Sequence, residues 1–178
     1  MHSCVIVACT LMLSFSEGVH DVSGYVKPSM QDLFLLDIQY ETLLEIGEIM
    51  EIQYLGENIE IPSFPVTGLI FMPNGRLMVN LVCSLDRPRI NIIFMIDTGS
   101  PVTYLSQQAI QALVADPLAI MPKSLIVRIH DGTVMICHVS PQDKHFADVN
   151  VLGMDYLSSS QLSINLNYKE KTVELIKL

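Results

Sequence analysis

From Val66 onward the chain is cut into short apolar runs by turn-forming sequences, and this punctuation limits the fold more than any other feature. Val66 to Met72 and Arg76 to Cys83 flank Pro73-Asn74-Gly75, where Asn and Gly tolerate the positive φ of a tight turn. Ile90 to Ile96 follows the polar stretch Ser84 to Arg89. Leu125 to Ile129 and Thr133 to Val139 flank His130-Asp131-Gly132, a strong hairpin signal. Phe146 to Leu152 reads as a further strand, and Leu162 to Leu166 with Thr172 to Leu178 forms a closing hairpin around Asn167-Tyr168-Lys169. Helical patterning is confined to Ser106–Val114, stopped by Asp116-Pro117, and to Met154–Ser159. Many short strands with little helix predict a mainly β domain.

Upstream, Gln31 to Ile46 carries Leu33, Leu36, Tyr40, Leu43 and Leu44 at helical spacing, with Asp32, Asp37, Glu41 and Glu45 on the opposite face. The period then shortens to two at Met50, Ile52 and Tyr54, and Gly56-Glu57-Asn58 turns the chain toward Ile59 and Ile61, which reads as a hairpin. The chain therefore divides into an acidic α/β extension, residues 1–65, and a β domain, residues 66–178. The apolar run Cys4 to Leu13 is shorter than the roughly 20 residues of a membrane span. With no Lys or Arg before it, a buried or pairing segment is favoured over a secretory signal in residues 1–16. The favoured reading implies an intracellular, cytoplasmic protein; the other implies a secreted one.

Half of the 178 residues are hydrophobic, ample material for a core. The formal charge of -9 lies wholly in residues 1–75, where ten acids face only Lys27; residues 76–178 balance nine bases against nine acids. Neither half offers the basic face that nucleic-acid binding needs. Cys4, Cys9, Cys83 and Cys137 lack CxxC pairing and zinc spacing, so they read as buried or idle thiols, with a Cys83–Cys137 disulfide a matter for geometry. His138 and His145 belong to no ligand set, and Met95, Met121, Met135 and Met154 read as core fillers. No metal or other cofactor is expected.

The candidate for chemistry is Asp97-Thr98-Gly99-Ser100, directly after Ile92-Ile93-Phe94-Met95-Ile96. A buried strand ending there would bring a carboxylate out at its tip. Gly99 frees the backbone for a tight loop, and the Thr98 hydroxyl can lock it.

Together with Thr103, the hairpin around Asp131-Gly132, and Val151-Leu152-Gly153 leading into Met154-Asp155-Tyr156-Leu157, this motif makes residues 76–178 resemble the retropepsin family. These are the single-lobed aspartic proteases of retroviruses and retrotransposons, with cellular relatives. The resemblance implies a closed barrel-like lobe with one or two short helices. It makes Asp97 the catalytic carboxylate and Thr98, Gly99, Ser100, Thr103, Gly153 and Asp155 the support of its loop. It places His130, Asp131, Gly132 and Thr133 on a flap over an extended peptide, and makes Thr172–Leu178 a strand pairing across a dimer interface. Residue by residue, Asp155 also reads as a solvated helix acid and His130 as an exposed turn residue. Pro101 departs from the family, many of whose retroviral members carry Asp there.

One Asp-Thr-Gly occurs, so the second acid of such a site must come from another copy of the chain. Two carboxyls held close share a proton; the ionised one acts as base on a water while the protonated one polarises the scissile carbonyl. The expected partners are thus a second copy and a peptide or protein substrate. A catalytically silent dimerisation or peptide-binding module is the alternative, and residues 1–65 could also be an inhibitory prosegment.

Overall fold

The computed structural model describes residues 38–60, 63–114, 121–141 and 146–178. The apolar run Cys4–Leu13, the helical pattern of residues 31–37, Asp116-Pro117 and His145 lie outside them. In chain order the elements are α1 (Tyr40–Ile49), β1 (Val66–Phe71), β2 (Arg76–Ser84), β3 (Ile90–Ile96), β4 (Tyr104–Leu105) and α2 (Gln107–Val114). There follow β5 (Ser124–Ile129), β6 (Thr133–Val139), β7 (Asn150–Leu152), α3 (Met154–Ser159), β8 (Leu162–Asn167) and β9 (Thr172–Lys177).

Six strands close into a barrel, because the pairings run β2–β3–β7–β4–β6–β5 and return from β5 to β2. Closure removes the unpaired edges that a six-stranded open sheet would expose. The start of β2 also pairs with β1, which continues through β9 to β8 as a side sheet. β9 has β1 on one edge and β8 on the other, so it is not available to pair with a second chain. That corrects the expectation for Thr172–Leu178: the outer strand of the side sheet, among the described residues, is β8.

All of Ile90–Ile96 is buried, and two layers explain this. Ile90, Ile92, Phe94 and Ile96 enter the barrel core with Val79, Leu81, Val127 and Leu152. Ile93 and Met95 face outward into a second core with Leu43, Ile46, Tyr54, Met78 and Val151. A strand covered on both faces must be apolar along its whole length. The covering layer is α1, which buries Leu43, Ile46 and Gly47 and exposes Glu41, Glu45 and Glu48. Leu44, expected on the apolar face, is 41% exposed, because the buried stripe runs through Leu43 and Ile46 instead.

The hairpin expected over Met50–Ile61 does not form in the described part. Instead α1 ends at Ile49, Glu51 takes a left-handed φ of 57°, and the Ile52 N–H returns to the Gly47 carbonyl at 2.9 Å. The following segment spends its backbone bonds on the start of β3: Leu55 N–H to Asn91 O (2.9 Å), Asn91 N–H to Gly56 O (2.9 Å) and Asn58 N–H to Arg89 O (2.8 Å). Five alternating residues were too weak a signal against the chance to pair with an existing strand. The described part of the extension is therefore helical and irregular, not α/β. Phe146–Asp148 is likewise a turn, and strand structure begins only at Asn150.

Asn150 fastens these layers. Fully buried, it accepts from the Ser106 N–H (2.9 Å) and donates to the Tyr54 hydroxyl (2.8 Å) and the Ile93 carbonyl (3.0 Å). Burial pushes the Tyr54 phenol up to about 12, although its bond with Asn150 pulls the other way. Replacing Asn150 by Ala strands the buried Ser106 N–H and takes one of two partners from the Tyr54 hydroxyl, which keeps Ser106, so Asn150→Ala should lose about 2–4 kcal/mol, read from urea unfolding. A loss below about 1 kcal/mol would mean that these groups find other partners.

Cys83 and Cys137 are buried, unbridged thiols of the barrel core; burial raises both, Cys137 to about 12. Met95 is buried and Met121 and Met135 pack against the core, whereas Met154 is 41% exposed at the start of α3.

Candidate active site

The end of β3 delivers Asp97 to the surface. Its N–H donates to the Leu152 carbonyl (3.1 Å), extending the parallel β3–β7 ladder by one bond. The chain then turns sharply: the Gly99 N–H donates to Asp97 Oδ1 (2.8 Å) and the Ser100 N–H to the Asp97 carbonyl (3.1 Å). Asp97 is half-buried; Thr98 and Gly99 are exposed. Oδ1 of the carboxylate thus holds the turn, and Oδ2 takes no donor among the described residues.

A second tier braces the loop. The Ser100 hydroxyl donates to the Val102 carbonyl (2.7 Å), and the Met154 N–H donates to the Ser100 carbonyl (2.9 Å). Thr103 is fully buried; its hydroxyl donates to Asp155 Oδ1 (2.7 Å) and accepts from the Gly153 N–H (3.1 Å), while its N–H donates to Asp155 Oδ2 (3.0 Å). Asp155 Oδ1 also accepts the Tyr156 N–H at 2.7 Å. A carboxylate taking three donors at the first turn of α3 is a structural clamp, not a solvated helix acid. Gly153 is required sterically: a Cβ there would lie 2.3 Å from the Val102 carbonyl oxygen and 2.4 Å from its carbon.

Of the residues named from the sequence, Asp97, Gly99, Ser100, Thr103, Gly153 and Asp155 are therefore joined in one network. Thr98 stands apart, exposed and without a hydrogen-bond partner among the described residues. The hairpin turn is not brought to them. His130 N–H donates to the Val82 carbonyl (2.6 Å), and Val82 faces Asn91 across the β2–β3 ladder. Asn91 precedes Asp97 by six residues of strand, about 20 Å at roughly 3.3 Å per residue. Asp131 is ion-paired with Lys177, and Thr133 meets the Ser160 hydroxyl at 3.1 Å. Burial would raise Asp131, but the bonds from Lys177 and Thr133 outweigh it and hold its carboxyl below the usual range. β5 and β6 are walls of the closed barrel, so their turn cannot serve as a flap over Asp97 in this arrangement.

What adjoins Asp97 is an open cleft of about 270 Å³, lined by Asn74, Gly75, Arg76, Leu77 and Phe146. The Met78↔Met95 register sets the β1–β2 turn beside the end of β3. Neither the turn chemistry of Pro73-Asn74-Gly75 nor Phe146 signals this role locally; a long-range pairing creates it. No second carboxylate lines this cleft among the described residues.

No protein-family model and no curated protein sequence matches the chain. Among solved structures it is similar to a retropepsin-like aspartic protease from Rickettsia conorii, at 18% identity and a TM-score of 0.41 over 64% of this chain and 93% of that one. It is also similar to the retroviral protease-like domain of Ddi1 from Leishmania major, at 15% identity and a TM-score of 0.35 over 56% of this chain and 92% of that one.

Proposed function

We propose that the chain is an aspartic endopeptidase that hydrolyses peptide bonds as a homodimer, each copy contributing one Asp97. One observation carries this reading: a strand-terminal carboxylate on an exposed loop, braced by Thr103, Gly153 and Asp155 and with no second acid in its cleft among the described residues. A rigid loop presenting half of a two-carboxylate centre suits catalysis only when a second copy supplies the other half. The paired carboxyls would share one proton. The ionised member draws a proton from a water, which attacks the scissile carbonyl; the protonated member donates to the carbonyl oxygen, giving a tetrahedral intermediate. That intermediate collapses with proton transfer to the leaving amine. The cleft of Asn74, Arg76, Leu77 and Phe146 would hold the substrate beside Asp97.

A specific observation supports the second reading, a silent peptide-binding or dimerisation module. The β5–β6 turn lies far from Asp97, so that hairpin does not cover the carboxylate, and Pro101 replaces a polar contact residue. Incubating the full chain with a mixed peptide library from acid to neutral pH, with and without pepstatin, separates the two. Pepstatin-sensitive cleavage absent from Asp97→Asn is expected. Cleavage persisting in that variant removes Asp97 from the mechanism, and a dimer inert at every pH establishes the silent module.

A further inference from the structure

The β1–β2 turn that lines the Asp97 cleft carries Asn74-Gly75, and no other asparagine of the chain is followed by glycine. The successors of the others are Ile59, Leu81, Ile92, Val151, Leu166 and Tyr168, each with a bulky side chain beside its own backbone nitrogen. An asparagine is chemically labile where the following amide nitrogen can reach its side-chain carbonyl carbon, because the two close a five-membered ring. A next residue without Cβ removes the main steric obstacle to that approach.

The fold keeps this pair open to reaction. Phe71 and Arg76 form the last pair of the β1–β2 ladder, so Asn74 and Gly75 lie beyond its hydrogen bonds. The Gly75 N–H donates to no acceptor among the described residues. Gly75 has a φ of 68°, and a Cβ built on it would meet nothing within 4 Å, so open space surrounds the attacking residue. Asp131-Gly132 is the contrast, the same ring-closing spacing on another turn. There the Gly132 N–H is engaged with the Ile129 carbonyl (3.1 Å), and the ion pair with Lys177 keeps Asp131 ionised, a poor target for a nucleophile.

We propose that Asn74 deamidates without an enzyme, through a succinimide closed by the Gly75 nitrogen, and so places a second carboxylate in the Asp97 cleft. The Gly75 nitrogen gives its proton to solvent hydroxide and bonds to Asn74 Cγ; the bond from Cγ to the side-chain nitrogen breaks and ammonia leaves. Water then opens the ring. Attack at Cγ gives an aspartyl residue, and attack at the main-chain carbonyl carbon gives an isoaspartyl residue whose backbone runs through Cβ and Cγ. Either product carries one negative charge where the amide carried none. Arg76, the other charged residue lining the cleft among the described residues, is present before and after. A like charge in a shared cleft disfavours ionisation of Asp97, so its carboxyl titrates higher after the change. The modification stands apart from the peptidase reading; its effect on hydrolysis, an acid limb moved to higher pH, rests on that reading.

The test incubates the full chain at pH 8 and follows it by peptide mapping and isoaspartate content. The peptide that contains Asn74 should gain about one mass unit, at least tenfold faster than any other asparagine reacts. Asn74→Gln should abolish the gain, since its ring would need a sixth member, and Gly75→Ala should slow it at least tenfold. Reaction at Asn74 only after unfolding in urea overturns the proposal, as does equal isoaspartate formation at Asp131-Gly132. In Asn74→Asp, the carbon NMR signal of the Asp97 carboxyl should titrate higher by at least about 0.3 pH units. An unmoved titration would place the new carboxylate outside the cleft and overturn the assignment. Asp97→Asn should deamidate at Asn74 as the wild type does, which keeps this result separate from the fate of the peptidase reading.

Discussion

An equimolar mixture of wild-type chain and Asp97→Asn, allowed to exchange subunits, should retain about a quarter of the activity of the same amount of wild type, where independent monomers would retain half. Random pairing leaves only one dimer in about four with two intact carboxyls, and a mixed dimer lacks either the base or the acid. Loss of one partner of a general acid–base pair costs roughly 10² to 10⁴ in rate, enough to make mixed dimers silent in a steady-state assay. The loop that presents Asp97 tolerates the change, because Asn keeps an oxygen that can accept the Gly99 N–H now bonded to Oδ1 at 2.8 Å. Residual activity that falls linearly with the wild-type fraction would place a complete site within one chain.

The second large effect is steric. Gly153→Ala sets a methyl carbon 2.3 Å from the Val102 carbonyl oxygen and 2.4 Å from its carbon, against one backbone carbonyl. Overpacking of this kind costs about 1–3 kcal/mol where side chains yield, and here the atoms that must give are backbone. A loss of at least about 2 kcal/mol is therefore expected, read as the shift in urea midpoint at fixed protein concentration. Relief would come by moving Val102 and, through Ser100, the Asp97 turn. Misplacement by about 1 Å can cost on the order of 10² in rate, so kcat should fall in the fraction that stays folded. A variant with wild-type midpoint and kcat would show that the brace is soft and that Asp97 is positioned by something else.

Some of this was written locally. The strand bounds came through because turn chemistry is local: Pro73-Asn74-Gly75, His130-Asp131-Gly132 and Asn167-Tyr168-Lys169 each admit a reversal where few other sequences do. The bracing of the Asp97 loop by Thr103, Gly153 and Asp155 was expected only through the resemblance of three separated short motifs to the retropepsin family. The steric reason for one of them became visible in the fold: nothing larger than Gly153 fits beside Val102.

Other features had no local sign. Alternation over Met50–Tyr54 suggested a strand, yet those residues gain more by covering β3 than by pairing with one another. The β5–β6 turn was correctly a hairpin and incorrectly a flap, because hairpin chemistry states how a chain reverses and not where the turn is sent. Its position follows from Ile129 pairing with Cys83, a contact across 46 residues of sequence.

The sequence by itself determined a mainly β chain, a carboxylate at the end of its most apolar strand, and a charge distribution unsuited to nucleic acid. Only the tertiary structure decided that six strands close into a ring, that β9 is enclosed between β1 and β8, and that Asn74 shares a cleft with Asp97. The division has one physical cause. Turns and apolar runs are set by φ, ψ and burial within a few residues, whereas register and closure depend on which distant strands satisfy each other's backbone groups and bury each other's faces.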